Sequence, residues 1–162
     1  MDDQGASREQ GPTSPPTILD ESQCWALLRD ATVGRLAVLV DGHPDIFPVN
    51  YVTDHGSIVF RTATGTKLAA AIEPTGVAFE IDGFDDERRE AWSVVARGRA
   101  VRIRGADALL ETIALPVYPL QVDAKPFFVR LVPAQVTGRR FRIVEPERWD
   151  GPLGPGARAA SE

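Results

Sequence analysis

Residues 35–62, RLAVLVDGHPDIFPVNYVTDHGSIVFRT, decide the fold. Three β-rich runs, Arg35–Val40, Asp45–Val52 and Ser57–Thr62, are separated by the turn sequences Asp41-Gly42-His43-Pro44 and Asp54-His55-Gly56. Branched and aromatic side chains suit a pleated, half-buried surface, and Asp-Gly and His-Gly pairs favour the tight reversals between antiparallel strands. The pattern predicts a three-strand meander. Pro48 marks an edge or a bulge within it, because proline has no N–H to give to a ladder.

Upstream, Asp20 followed three residues later by Gln23 forms a helix-starting capping box, and Cys24, Trp25, Leu27 and Leu28 place an apolar stripe on one side. Gly34 is expected to end that helix. Downstream, Thr66 is read as the cap of a short helix, Lys67–Ile72, stopped by Pro74. Further strands are expected at Val77–Asp82, Trp92–Arg104, Phe127–Val132 and Gln135–Ile143, with Pro133 between the last two and a helix at Ala106–Ile113. Strands outnumber helices and are mostly consecutive. That argues for a mainly β chain with short α-helices, closed or nearly closed as an antiparallel barrel.

Both ends have a different composition. Residues 1–17 and 150–162 are rich in Gly, Pro, Ser and charge, and are expected to be disordered tails around one domain, 18–149. The net charge of −5 is partly carried there, leaving a nearly neutral middle. A nucleic-acid binder needs a basic face, so none is expected. No run of apolar residues is long enough for a membrane span, and the N-terminus lacks the apolar core of a secretory signal. A cytoplasmic protein is the expectation. One cysteine, Cys24, allows no intrachain disulfide, and two histidines, His43 and His55, give little basis for a metal site.

The segment Phe60-Arg61-Thr62-Ala63-Thr64-Gly65-Thr66-Lys67 carries the chemistry. Arg61 and Lys67 flank a bend of small hydroxyl residues whose hydroxyls and amides suit one anion. Lys67 stands at an expected helix N-terminus, where the helix dipole favours negative charge. Arginine presents a planar fork to phosphate and lysine a point charge. The spacing is not that of a Walker loop, and a solvated turn with two surface cations is the plainer alternative. No nucleophile–base pair is visible. Arg97, Arg99, Arg102 and Arg104 succeed one another along the long strand, read as a solvated outer face or as the site of an anionic cofactor tail.

Residues 36–82 resemble the flavin-binding split-barrel family typified by pyridoxamine 5′-phosphate oxidase. The resemblance runs from about Ile18 to Val144. It is carried by Asp41-Gly42-x-Pro44, Phe47-Pro48-Val49-Asn50-Tyr51, Phe60-Arg61-Thr62 with Gly65-Thr66-Lys67, Trp92-Ser93-Val94-Val95 and Val136-Thr137-Gly138-Arg139-Arg140. It implies a six-stranded antiparallel split β-barrel of the FMN-binding type, forming a homodimer with cofactor sites at the interface.

The same resemblance assigns the phosphate to Arg61 and Lys67, and the hydroxyl-rich bend between them adds Thr62 and Thr66 as candidate contacts. The resemblance also runs the Pro48, Val49, Asn50 and Tyr51 backbone along the flavin edge and brings Trp92, Ser93 and Arg139 near the cofactor, where core or interface packing for Trp92 and a plain surface position for Ser93 and Arg139 are the alternatives. The function implied is an FMN-dependent oxidoreductase acting on a small organic substrate. The alternatives are a deazaflavin-dependent reductase or a non-catalytic flavin- or haem-binding module.

Overall fold

Two hairpin turns set the first barrel strands in place. The computed structural model describes residues 15–63, 76–105, 112–117 and 126–143. Strand β2 (Val33–Val40) returns as β3 (His43–Asp54) through Asp41 and Gly42, both with positive φ, at 51° and 79°. His55 and Gly56, at 44° and 74°, do the same between β3 and β4 (Ser57–Ala63). Two successive left-handed residues match the right-handed twist of the flanking strands. The expected meander is present, each strand longer than its sequence signal.

The remaining elements are β1 (Thr17–Leu19), α1 (Glu21–Asp30), β5 (Gly76–Asp85), β6 (Glu90–Arg102) and β7 (Pro126–Arg142). The sheet order is β1-β7-β4-β3-β2-β5-β6, and a further β6–β7 pairing closes a ring of six antiparallel strands. β1 lies outside the ring, beside the far end of β7. This is the expected split-barrel architecture. Closure removes most of the open edges that a seven-stranded sheet would otherwise expose.

Three local expectations need correction. The first helix ends at Asp30 with Ala31 as its cap, so Gly34 is not its stop signal. Gly34 lies inside β2, where a Cβ would overlap the Phe79 ring; the position needs a small residue for packing. Pro133 does not divide two strands. β7 runs through it with a register shift, Gly98 facing Pro133 and Arg97 facing Gln135, so Ala134 is the extra residue of a bulge that absorbs the proline. Thr17 belongs to β1, a strand too short to leave a periodic signal. The expected helix Lys67–Ile72, all but the last two residues of Ala106–Ile113, and most of both expected tails lie outside the described residues.

The barrel interior is filled by alternate residues of every ring strand: Leu36, Val49, Tyr51, Ile58, Phe60, Phe79, Ile81, Val94, Val129 and Leu131. Helix α1 starts with the expected capping box, the Asp20 carboxylate accepting from the Gln23 amide at 2.8 Å and the Gln23 side chain accepting from the Asp20 amide at 2.9 Å. It buries Cys24 and Leu28 against β7, where a Cβ on Gly138 would collide with the Cys24 sulfur. Burial raises the Cys24 thiol pKa, as for an inert core cysteine.

Tyr51 joins the helix to the barrel. Its hydroxyl donates to the Leu28 carbonyl at 2.8 Å, and its ring meets Phe79 edge-on at 4.8 Å between centroids. Burial raises its pKa well above the ordinary tyrosine value. An unfolded chain ionises the phenol near pH 10 whereas the folded chain holds the proton. This contribution to stability is therefore complete below about pH 10 and declines above it, by about 1.4 kcal/mol per pH unit. We expect Tyr51→Phe to cost about 1 kcal/mol near neutral pH and to flatten the alkaline decline. Urea denaturation of both proteins across the alkaline range checks this; equal alkaline slopes would contradict it.

Candidate functional site

The β3–β4 ladder stops at Tyr51 opposite Phe60. One step further Asn50 and Arg61 would face each other, but the strands part. β4 follows β7 as far as Ala63 opposite Pro126, while β3 follows β2 as far as His43 opposite Val40. Pro48 lies on this parted stretch. The Tyr51 amide bonds the Thr32 carbonyl on the β2 side. By strand alternation, Pro48 therefore turns its missing N–H toward the parted edge, where no ladder bond is lost.

Alternation also sorts the side chains. Val49 and Tyr51 point into the core, so any part they take in binding runs through their backbone. Pro48, Asn50 and Arg61 face outward. Thr62 is buried on the inward side, opposite Phe127. Thr66 and Lys67 lie outside the described residues.

On the outer side of β4 and β7 a second apolar cluster forms from Val59, Ile103, Val117 and Phe128, with Val52 and Leu115 against it. Arg61 follows Val59 on that face. Its guanidinium lies 5.0 Å from the Phe128 ring centroid, and one terminal nitrogen reaches the Val117 carbonyl at a long 3.5 Å. Its Nε is buried and, among the described residues, has no hydrogen-bond partner. Beside it opens a cleft of about 750 Å³ whose lining includes Arg102, Arg104, Phe127 and Phe128. A buried N–H left unpaired costs about 1–3 kcal/mol. A guanidinium so placed is set to receive an anion, and the aromatic and aliphatic walls suit a flat ring system.

The expected arginine-rich strand divides between two surfaces. Arg97 and Arg99 are exposed on the barrel exterior, but Arg102 stacks on Phe127, 4.1 Å from the ring centroid, and Arg104 lies just beyond the strand on the cleft. Sequence reading missed this partition. The signal was the odd–even spacing of the two pairs.

Trp92, Ser93 and Arg139 lie elsewhere in the barrel. Trp92 packs on the interior against Gly83, where a Cβ would strike the indole. Ser93 faces Asp82 on one side and Arg139 on the other. Nearby, Arg35 pairs with both Glu80 and Asp82. Burial, then the Asp82 charge, raises the Glu80 pKa against the pull of Arg35. The described chain thus brings Pro48, Asn50 and Arg61 to the β3–β4 opening. It places Ser93 and Arg139 on a different stretch of exterior.

A third polar group holds the β3–β4 turn to β7. Arg130 contacts the Asp54 carboxylate at 2.7 Å and the Ser57 hydroxyl at 2.6 Å, and Asp54 also meets His55 at 2.7 Å. The Arg130 hydrogen bond holds the Asp54 carboxyl below the usual range. The Ser57 hydroxyl is spent on the Asp54 carbonyl and the arginine, and His55 is almost fully solvated at 95% side-chain exposure. Serine, histidine and aspartate here brace a turn.

Comparison with known proteins accords with this geometry. Residues 20–140 match the family model described as pyridoxamine 5′-phosphate oxidase. The chain is 38% identical to the FAD-binding protein of Mycobacterium smegmatis, whose structure aligns with a TM-score of 0.70 over 80% of this chain and 100% of that one. It is 36% identical to DIP1874 of Corynebacterium diphtheriae, a conserved protein of unknown function, with a TM-score of 0.67 over 79% and 99% of the two chains. The uncharacterised protein Rv0080 of Mycobacterium tuberculosis is 30% identical over 149 residues, 88% of this chain and 96% of its own. With its six-strand ring, parted β3–β4 edge and matched sequence, the chain belongs to the pyridoxamine 5′-phosphate oxidase-like family of flavin-binding split barrels.

Proposed function

We propose that this protein is a flavin-dependent oxidoreductase that anchors its cofactor, FMN, by the phosphate in the Arg61 cleft. The observation that carries this reading is the Arg61 guanidinium, held against Phe128 on the wall of the cleft beside the point where β3 and β4 separate. Family membership and the 38% identical FAD-binding relative support it.

A bound flavin would supply the hydride or single-electron transfer. The chain's own part is positional. Arg61 offers the phosphate a fork preset by contact with Phe128, Lys67 and Thr66 add charge and a hydroxyl, and the Pro48–Asn50 backbone borders the opening. The second cluster beneath Arg61 keeps water from the far side of the guanidinium, which strengthens its attraction for an anion. We also propose a homodimer with the cofactor at its interface. Leu39 and Ile46 on one part of the exterior, and Val101 and Val132 on another, are apolar and 46–63% exposed, which favours cover by a second copy.

FMN titration followed by fluorescence quenching tests the anchor. We expect Arg61→Gln and Lys67→Ala each to weaken FMN binding at least about tenfold, since a charged phosphate contact contributes about 1.5–3 kcal/mol. Unchanged dissociation constants would contradict it. Without ligand, Arg61→Gln is expected to lie within about 1 kcal/mol of wild type in stability, because it removes an unpaired donor along with its contact to Phe128. A loss above about 2 kcal/mol would assign Arg61 to the fold instead. Light scattering should give twice the 17.6 kDa chain mass. A monomer would refute the interfacial arrangement.

A further inference from the structure

A second concavity lies on the barrel exterior, formed by residues other than those of the Arg61 cleft. It measures about 390 Å³, and its lining includes Ala37 and Leu39 of β2, Pro44 of β3, Gly76 and Ala78 of β5 and Arg97 of β6. The strand register explains the hollow. Ala37 faces Ala78 across β2 and β5, and Ala78 faces Arg97 across β5 and β6. On the next rung Leu39 faces Pro44, and Gly76 faces Arg99. The outward positions in the middle thus carry the smallest side chains, and larger ones stand at the two sides. Alanine and glycine are poor strand residues because they give a pleated surface little to pack against. Side by side they make a floor on which another group can lie.

The two sides differ in chemistry. Leu39 and Pro44 form an apolar wall, with Leu39 46% exposed. On the opposite side Arg97 and Arg99 are exposed and, among the described residues, make no ion pair or hydrogen bond. The described lining holds no carboxylate. Glu80, the next outward residue of β5, is already engaged by Arg35. An apolar strip that ends at unpaired guanidiniums is complementary to a molecule with a hydrocarbon body and one anionic end. Burying the body removes apolar surface from water, and the anion takes the arginine fork. From Pro44 on β3 to Arg97 on β6 is three strand spacings, about 14 Å, a span that suits an alkyl chain of medium length.

We propose that this groove binds an aliphatic carboxylate, its chain lying over Ala37 and Ala78 against Leu39 and Pro44 and its carboxylate meeting Arg97. Arg99, one rung along, adds positive charge on the same side and draws the anion to that end. The groove does not depend on the flavin reading. Leu39 is also among the apolar residues offered above to a second copy, so the two occupants must be told apart.

Isothermal titration calorimetry of the full-length protein with decanoate, hexanoate and decylamine tests the proposal. Decanoate is expected to bind at least about tenfold more tightly than hexanoate, since each methylene half-buried on the floor contributes a gain on the order of twofold. It should also bind at least about tenfold more tightly than decylamine, whose charge has the wrong sign for Arg97. Arg97→Gln should weaken decanoate about fivefold, as fits an ion pair at an exposed position, without moving the melting temperature. Ala78→Leu fills the floor and should abolish binding while the barrel stays folded. Equal binding of decanoate and decylamine, or decanoate binding unchanged in either variant, would overturn the proposal. Light scattering identifies the other occupant. If wild type binds no decanoate and is a dimer that Ala78→Leu turns into a monomer, a second copy fills the groove and the ligand proposal fails. Should Ala78→Leu not fold, Arg97→Gln, at an exposed residue, decides alone.

Discussion

The ladder between β3 and β4 holds from Asp54 opposite Ser57 to Tyr51 opposite Phe60, and the place where it ends governs the shape of the candidate site. At that last pair both side chains are committed to the interior, Tyr51 through Leu28 and Phe79 and Phe60 at zero exposure. The next residues on both strands face outward, and there the strands turn to different neighbours. A sheet that continued to zip would place Asn50 directly across from Arg61. Parting frees the edge at Pro48, tips Arg61 onto Phe128 and leaves a polar opening beside an apolar floor.

Two groups hold this parting in place. At the hairpin end, Arg130 binds Asp54 and Ser57, so the turn is fastened to β7 and the short ladder does not fray from that side. At the other end, β4 continues along β7 to Ala63, while the bulge at Pro133, just past the hairpin end, adjusts the register of β7 against β6. Gly98 makes the bulge admissible, since a Cβ there would collide with the Val132 carbonyl and Pro133. Rigid strands on both sides of an opening give more exact placement of a cation than a loop does.

The two hairpins were legible because Asp41-Gly42 and His55-Gly56 supply the left-handed pairs such turns require, and α1 because Asp20 and Gln23 form its capping box. Arg61 was legible as a cation at a strand end near hydroxyl residues. Other features depend on tertiary neighbours. Gly34 resembles a helix stop until Phe79 is seen packed against it, and Pro133 resembles a strand break until β6 is seen pairing across the bulge. Arg102 looked like one of four surface arginines; only the closing of β7 onto β6 brings Phe127 beneath it. Burial of the Arg61 Nε likewise depends on the apolar cluster that gathers on the far side of the sheet.

A crystal structure of the full-length protein loaded with flavin tests the central claim most directly. The expected result is a phosphate oxygen within hydrogen-bonding distance of the Arg61 guanidinium, with the flavin ring alongside Pro48 and Asn50 where β3 and β4 separate. A flavin seated away from that opening, with Arg61 still turned to Phe128 and touching no phosphate, would contradict it.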